Sequence, residues 1–128
     1  MLSYLYIFIG GGLGAVSRFG IGNVIHRYTG DGFPFGTLAA NVLSCIVMGL
    51  VLYLSIGTKW LTDDLKLLLI VGFCGGFSTF STFSIETLDL FRSGQTVMGI
   101  LNILLSVIIC IAILYLLIQK QKSAWVFF

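Results

Sequence analysis

Residues Gly72 to Ser84 read GFCGGFSTFSTFS and lie between the apolar runs LKLLLIV and IETLDLF. Phe77, Phe80 and Phe83 recur every three residues, with hydroxyls at Ser78, Thr79, Ser81, Thr82 and Ser84 around them. An aromatic ring is electropositive at its edge. Ring edges alternating with hydroxyls suit a small, hard anion that seeks hydrogen bonds and has shed part of its water. Such groups hold the ion without a full opposing charge, and transit needs binding that is favourable but escapable. Phe80 and Phe83 are the candidates, while Phe77 reads as an ordinary hydrophobic face. Gly72, Gly75 and Gly76 each lower helix propensity by roughly 1 kcal/mol relative to alanine. The hydroxyls offer partners for backbone groups freed by a break. An unwound point here exposes carbonyls and helix ends able to hold ions; a break serving only tight packing is the plainer alternative.

Three other polar groups interrupt apolar surroundings. Asn41 lies one turn from Thr37 on the same helix face. An amide in lipid needs partners, so Asn41 points inward, either to bond a neighbouring helix or to donate its NH₂ to a passing anion. Arg18 stands about two-thirds of the way along its apolar segment. It either draws anions toward a vestibule or bonds the carbonyls of a broken partner helix. Asn102, Ser106 and Cys110 follow one another at four-residue intervals, which puts them on one helix face. That face meets protein or water rather than lipid.

The elements that carry these groups follow from composition. Of 128 residues, 58% are hydrophobic and 9% charged, against about a quarter charged in ordinary globular domains. This is an all-α integral membrane chain. At roughly 20 residues per crossing, four transmembrane helices fit, over about residues 2–25, 37–56, 65–91 and 97–118 of a single transmembrane domain, 1–128. The segments do not alternate as barrel strands do. MLSYLYIFIGGG lacks a basic leader and cleavage site, so it reads as a retained first helix. In that helix Gly10 and Gly14, like Gly11 and Ala15, are four apart, a spacing that lets backbones approach closely. Cys45, Cys74 and Cys110 lie in apolar stretches without metal-type spacing and read as reduced thiols.

Lys59, Lys66, Lys120 and Lys122 fall on one side of such a four-helix arrangement, Arg27 and Arg92 on the other. The bias is weak for one-way insertion. Either the slight excess suffices, or the chain inserts both ways up and pairs with an inverted copy. The basic residues form no patch, and no nucleic-acid partner is implied.

GGGLGAVSRF, GTLAANVLSCIVMG and GFCGGFSTFSTFS, in that order, resemble the Fluc (CrcB) family of bacterial fluoride channels. The similarity spans the chain. It implies an antiparallel, dual-topology homodimer in the bacterial inner membrane, with two pores, a third helix broken mid-membrane, and passive export of toxic fluoride driven by the membrane potential. Hydrogen fluoride leaks inward and ionises in the cytoplasm, so such a pore confers fluoride resistance. By the same resemblance, Asn41, Phe80 and Phe83 line the pore, with Ser81, Thr82 and Ser84 on a hydroxyl track that Ser106 continues. Arg18 sits near the vestibule, and Glu86 matches an acidic position beyond the motif. The carbonyls of Gly75 and Ser78 match those that hold a structural sodium ion at the dimer centre. Four positions depart from the family pattern. Ser78 replaces threonine and Ser44 replaces glycine, while Asn102 stands where tyrosine is expected and Cys110 where serine is.

Other classes fit less well. A proton-coupled exporter of hydrophobic cations needs a deep carboxylate, yet Glu86 and Asp89 lie toward one end of the third segment. A purely structural subunit leaves the phenylalanine and hydroxyl pattern unexplained. The chain is not expected to be an enzyme. It lacks a phosphate-binding G-x-x-x-x-G-K-[ST], a paired carboxylate site and a nucleophile with its base, and His26 stands alone at a helix end.

Overall fold

The structure is a computed structural model in which residues 1–119 are described; Lys120 and Lys122, used above to weigh orientation, lie outside them. Every regular element among the described residues is helical, with no strand. Helix α1 is Leu2–Thr29 and α2 is Phe35–Leu54. A third span, Asp63–Arg92, is composite. It opens with the single turn α3 (Asp63–Lys66), continues as a π-helix from Leu67 to Cys74, and adds the short α4 (Gly75–Phe77) before α5 (Phe80–Arg92). Helix α6 is Thr96–Ile118. All four spans are long and apolar enough to cross a membrane.

The boundaries follow local chemistry. Helix α1 runs four residues past the expected end near residue 25, so His26, Arg27 and Tyr28 are helical. It stops where Gly30 takes φ +69°, a conformation open mainly to glycine. Pro34 caps α2, fixing φ where no helical N–H is needed. Thr62 caps α3 by accepting the N–H of Leu65 at 3.3 Å. His26 does not stand alone: its Nε2 lies 3.3 Å from Asp31 Oδ1.

The apolar core is small, built on Val51, Leu52, Leu61 and Ile70. Most large hydrophobic side chains face outward, on α1 and α6 above all. In water such an exterior would drive aggregation; against acyl chains it costs nothing. Association between helices then depends on close packing. Gly10 and Gly14 lie directly on the third span, where a Cβ would collide with the carbonyls of Leu68 and Phe73. Gly72 and Gly76 answer from the other side, meeting the backbone of Ile7, Gly10 and Gly11. The seam is thus reciprocal, with small residues four apart on both helices. Gly36 meets Gly22 in the same way, joining α2 to α1.

Candidate functional site

Two extended residues, Ser78 (ψ 156°) and Thr79 (φ −152°, ψ 122°), separate α4 from α5. The interruption does not fall on the glycines, as their low helix propensity suggested. Gly72, Gly75 and Gly76 are all helical, and two of them serve the seam with α1. The hydroxyl residues that follow carry the change of conformation.

Their hydrogen bonds explain how. In a continuous helix the Thr79 N–H would donate to the Gly75 carbonyl and the Thr82 N–H to the Ser78 carbonyl. Instead Thr79 N–H donates to Asn41 Oδ1 at 2.7 Å, and Thr82 N–H donates to Thr79 Oγ1 at 3.2 Å. Asn41 Nδ2 also donates to the Thr79 carbonyl at 3.2 Å. One amide therefore bonds both backbone groups of Thr79, as an adjacent strand would. Such groups left bare in hydrocarbon would cost several kcal/mol. Upstream, the Cys74 carbonyl accepts from Ser78 N–H, Ser78 Oγ and Ser44 Oγ at 2.9, 2.8 and 3.0 Å. The carbonyls of Gly75, Gly76, Phe77 and Ser78 all lose their i+4 donors at the interruption, those of Gly75 and Ser78 because the donors turn to Asn41 Oδ1 and Thr79 Oγ1.

Between α1, the start of α2 and the start of α5 lies a cleft of about 280 Å³ lined by Arg18, Asn23, Thr37, Thr79 and Thr82, among others. Among the described residues Arg18 bonds a hydroxyl rather than a backbone carbonyl. Its Nη1 donates to Thr82 Oγ1 at 3.4 Å, and its buried Nε has no partner among the described residues. Thr79 Oγ1 donates to the same Thr82 oxygen at 3.1 Å. Thr37 Oγ1, on the cleft wall, donates to Glu86 Oε1 at 2.8 Å, leaving Oε2 buried without a partner among the described residues. The cleft is therefore cationic where it meets the interruption, with an acceptor pair one turn further along α5.

The remaining predicted residues divide between two faces. Phe80 is 80% exposed, and Ser81 and Ser84 are exposed beside it. Ser84 Oγ donates to the Phe80 carbonyl at 2.8 Å. Phe83 is half-buried, its ring centroid 5.6 Å from that of Phe80 with the planes 41° apart. Asn102 and Ser106 are buried on the inner face of α6. Asn102 Nδ2 donates to Thr87 Oγ1 at 2.9 Å and Thr87 Oγ1 to the Phe83 carbonyl at 2.7 Å, while Ser106 Oγ has no partner among the described residues. Thr82 thus faces the cleft while Ser81 and Ser84 are exposed, and Thr79 Oγ1, 3.3 Å from Ser81 Oγ and 3.1 Å from Thr82 Oγ1, links the first two hydroxyls. The Asn41–Thr79 and Thr37–Glu86 pairings had no signal in spacing, because their partners are 38 and 49 residues apart. The Gly72–Gly76 half of the seam did have one: the four-residue interval already noticed in α1.

Residues 5–118 match the family described as "CrcB-like protein, Camphor Resistance (CrcB)". A protein of Magnetococcus marinus is 42% identical over 111 residues, covering 87% of this chain and 90% of its own. One from Dehalococcoides mccartyi is 43% identical over 112 residues, covering 88% and 86%. A third, from Geobacter metallireducens, is 37% identical over 122 residues, covering 95% and 98%. Each of these relatives is named "Fluoride-specific ion channel FluC". With four apolar helices of membrane-crossing length and this match over nearly its whole length, the chain belongs to the CrcB family of multi-pass bacterial membrane proteins.

Proposed function

We propose that the chain is a fluoride-selective channel that lets the anion leave the cell passively, down its electrochemical gradient. The observation that carries this reading is the interruption at Ser78–Thr79, whose backbone is held by Asn41 and which opens beside Arg18, Thr82 and the Phe80–Phe83 ring pair. The names of the relatives support fluoride as the ion. The interruption falls near the middle of the Asp63–Arg92 span and, in this reading, at the bilayer midplane. Fluoride enters past the Arg18 guanidinium and exchanges water for threonine and serine hydroxyls and phenylalanine ring edges. Asn41 keeps a second amide hydrogen for the ion while its first holds Thr79. A potential of 100 mV supplies about 2.3 kcal/mol per charge, so no energy-coupling site is needed.

The same reading makes the channel an antiparallel homodimer with two pores. Gly75, Phe80, Ser81 and Ser84 are exposed on one chain, and no atom lies within 4 Å of a Cβ built at Gly75. An inverted copy covers that face and supplies the second wall of each path. The diverted carbonyls of Gly75 and Ser78 fit a hard cation such as sodium, which prefers oxygen ligands. One chain offers too few, so both copies contribute. A bound sodium ion would add a fixed positive charge and lock the two interruptions together.

Purified protein in liposomes loaded with potassium fluoride, with an ionophore to dissipate the diffusion potential, tests this. Rapid fluoride efflux without chloride efflux is expected. Efflux that requires a proton gradient would transfer the reading to a carboxylate-driven exporter with Glu86 as its acid. No efflux at all would overturn transport.

A further inference from the structure

The ion path leaves two thiols without a role. Cys45 on α2 and Cys110 on α6 are both free and half-buried, and their side chains interact across the contact between these helices. The helical period places both thiols on the packed faces. Gly49, one turn beyond Cys45, packs so tightly on Leu117, two turns beyond Cys110, that a Cβ there would stand 2.6 Å from Leu117 Cδ1. Both cysteines therefore lie on the facing sides of two parallel, closely packed helices.

We infer that Cys45 and Cys110 form a two-thiol site for a soft, two-coordinate d10 cation of the Cu(I), Ag(I) or Hg(II) class, tying α2 to α6. The donor set selects this class. Thiolate sulfur favours soft metals, whereas zinc takes four ligands and hard cations take oxygen. Among the described residues no group of three His, Cys, Asp or Glu side chains is placed to hold a metal. Cys74 is fully buried on the third span beside Ser44 and stands outside the pair.

Charge balance suits a membrane interior. Hg(II) breaks two S–H bonds, forms two Hg–S bonds and releases two protons, with no electron transferred. Cu(I) or Ag(I) displaces one proton and keeps the second sulfur as a neutral thiol donor. In either case the site stays uncharged, as a low-dielectric setting demands. The site is independent of fluoride and stands or falls apart from the channel reading.

Full-length protein in detergent, loaded with one equivalent of mercuric chloride, is titrated with glutathione while bound mercury is followed by mass spectrometry. A second thiol on the same scaffold acts at a high effective concentration. Cys45→Ser and Cys110→Ser should therefore each release mercury at about 100-fold less glutathione than wild type, and Cys74→Ser should match wild type. Equal midpoints in wild type and both single variants, or a loss confined to Cys74→Ser, would overturn the site. Mercury-edge X-ray absorption on the unmutated protein gives an answer that needs no variant. Two equivalent sulfur neighbours support the site, and a single sulfur contradicts it.

Discussion

From Asp63 to Phe77 the third span meets α1 backbone to backbone, through Gly72 and Gly76 on one side and Gly10 and Gly14 on the other. From Phe80 to Arg92 it is held by side chains: Arg18 to Thr82, Thr37 to Glu86, and Asn102 to Thr87. The first half has no room for a side chain at the seam, and the second is spaced by polar groups that leave a cleft. At the join, Asn41 replaces the missing helical acceptor of Thr79 N–H and adds a second donor to its carbonyl. The contrast explains why glycines and hydroxyls are adjacent in GFCGGFSTFSTFS. Glycine at every fourth position clamps one half in place, so the hydroxyl residues after it can leave the helix without loosening the bundle.

The comparison breaks most severely at the clamp. Gly14→Leu drives a side chain into the Phe73 carbonyl and Phe77 N–H, and backbone at a two-sided seam cannot step aside as a flexible side chain can. The expected cost exceeds the roughly 1–3 kcal/mol of ordinary overpacking. The variant should fail to elute as a monodisperse species in size-exclusion chromatography. Gly76→Ala, which meets the Gly11 carbonyl, should fail in the same direction.

The join is the next most sensitive point. Asn41→Ala removes the acceptor for Thr79 N–H and a donor to its carbonyl together. Leaving the part-buried Thr79 N–H unsatisfied costs about 1–3 kcal/mol. The thermal unfolding midpoint should fall while the protein still assembles, and fluoride efflux should fall with it.

Gly75 sharpens the contrast from the opposite side. It neighbours Gly76 in sequence, yet a Cβ there meets nothing within the chain. Gly75→Ala should leave the fold of the chain intact, changing its stability by no more than about 1 kcal/mol, the scale of the alanine–glycine difference in helix propensity. Circular dichroism melts of Gly75→Ala beside Gly76→Ala measure the difference directly.

Four membrane-length helices were legible in composition, because lipid selects uninterrupted apolar runs and leaves little else to decide. The Gly10–Gly14 seam was legible too, since packing without side chains leaves a periodic mark. Its counterpart at Gly72 and Gly76 was masked: the same residues also lower helix propensity, and that reading assigned them to the interruption. The true position at Ser78–Thr79 depends on Asn41, which is distant in sequence and pairs with backbone rather than with a complementary side chain. No periodicity records such a bond. The exposure of Ser81 and Ser84 while Thr82 faces the cleft follows from where α5 restarts, which spacing alone does not fix. The thiol pair was hidden for a similar reason, since Cys45 and Cys110 meet only through the packing of α2 on α6.

The central claim is that ring edges at the interrupted span carry the ion. Fluoride efflux from liposomes bearing Phe80→Ile or Phe83→Ile tests it, because isoleucine keeps apolar bulk while removing the electropositive edge. Each variant should assemble as wild type does and lose at least about tenfold in efflux rate, equivalent to about 1.4 kcal/mol on the barrier. Wild-type efflux in both variants, from correctly assembled protein, would contradict the account.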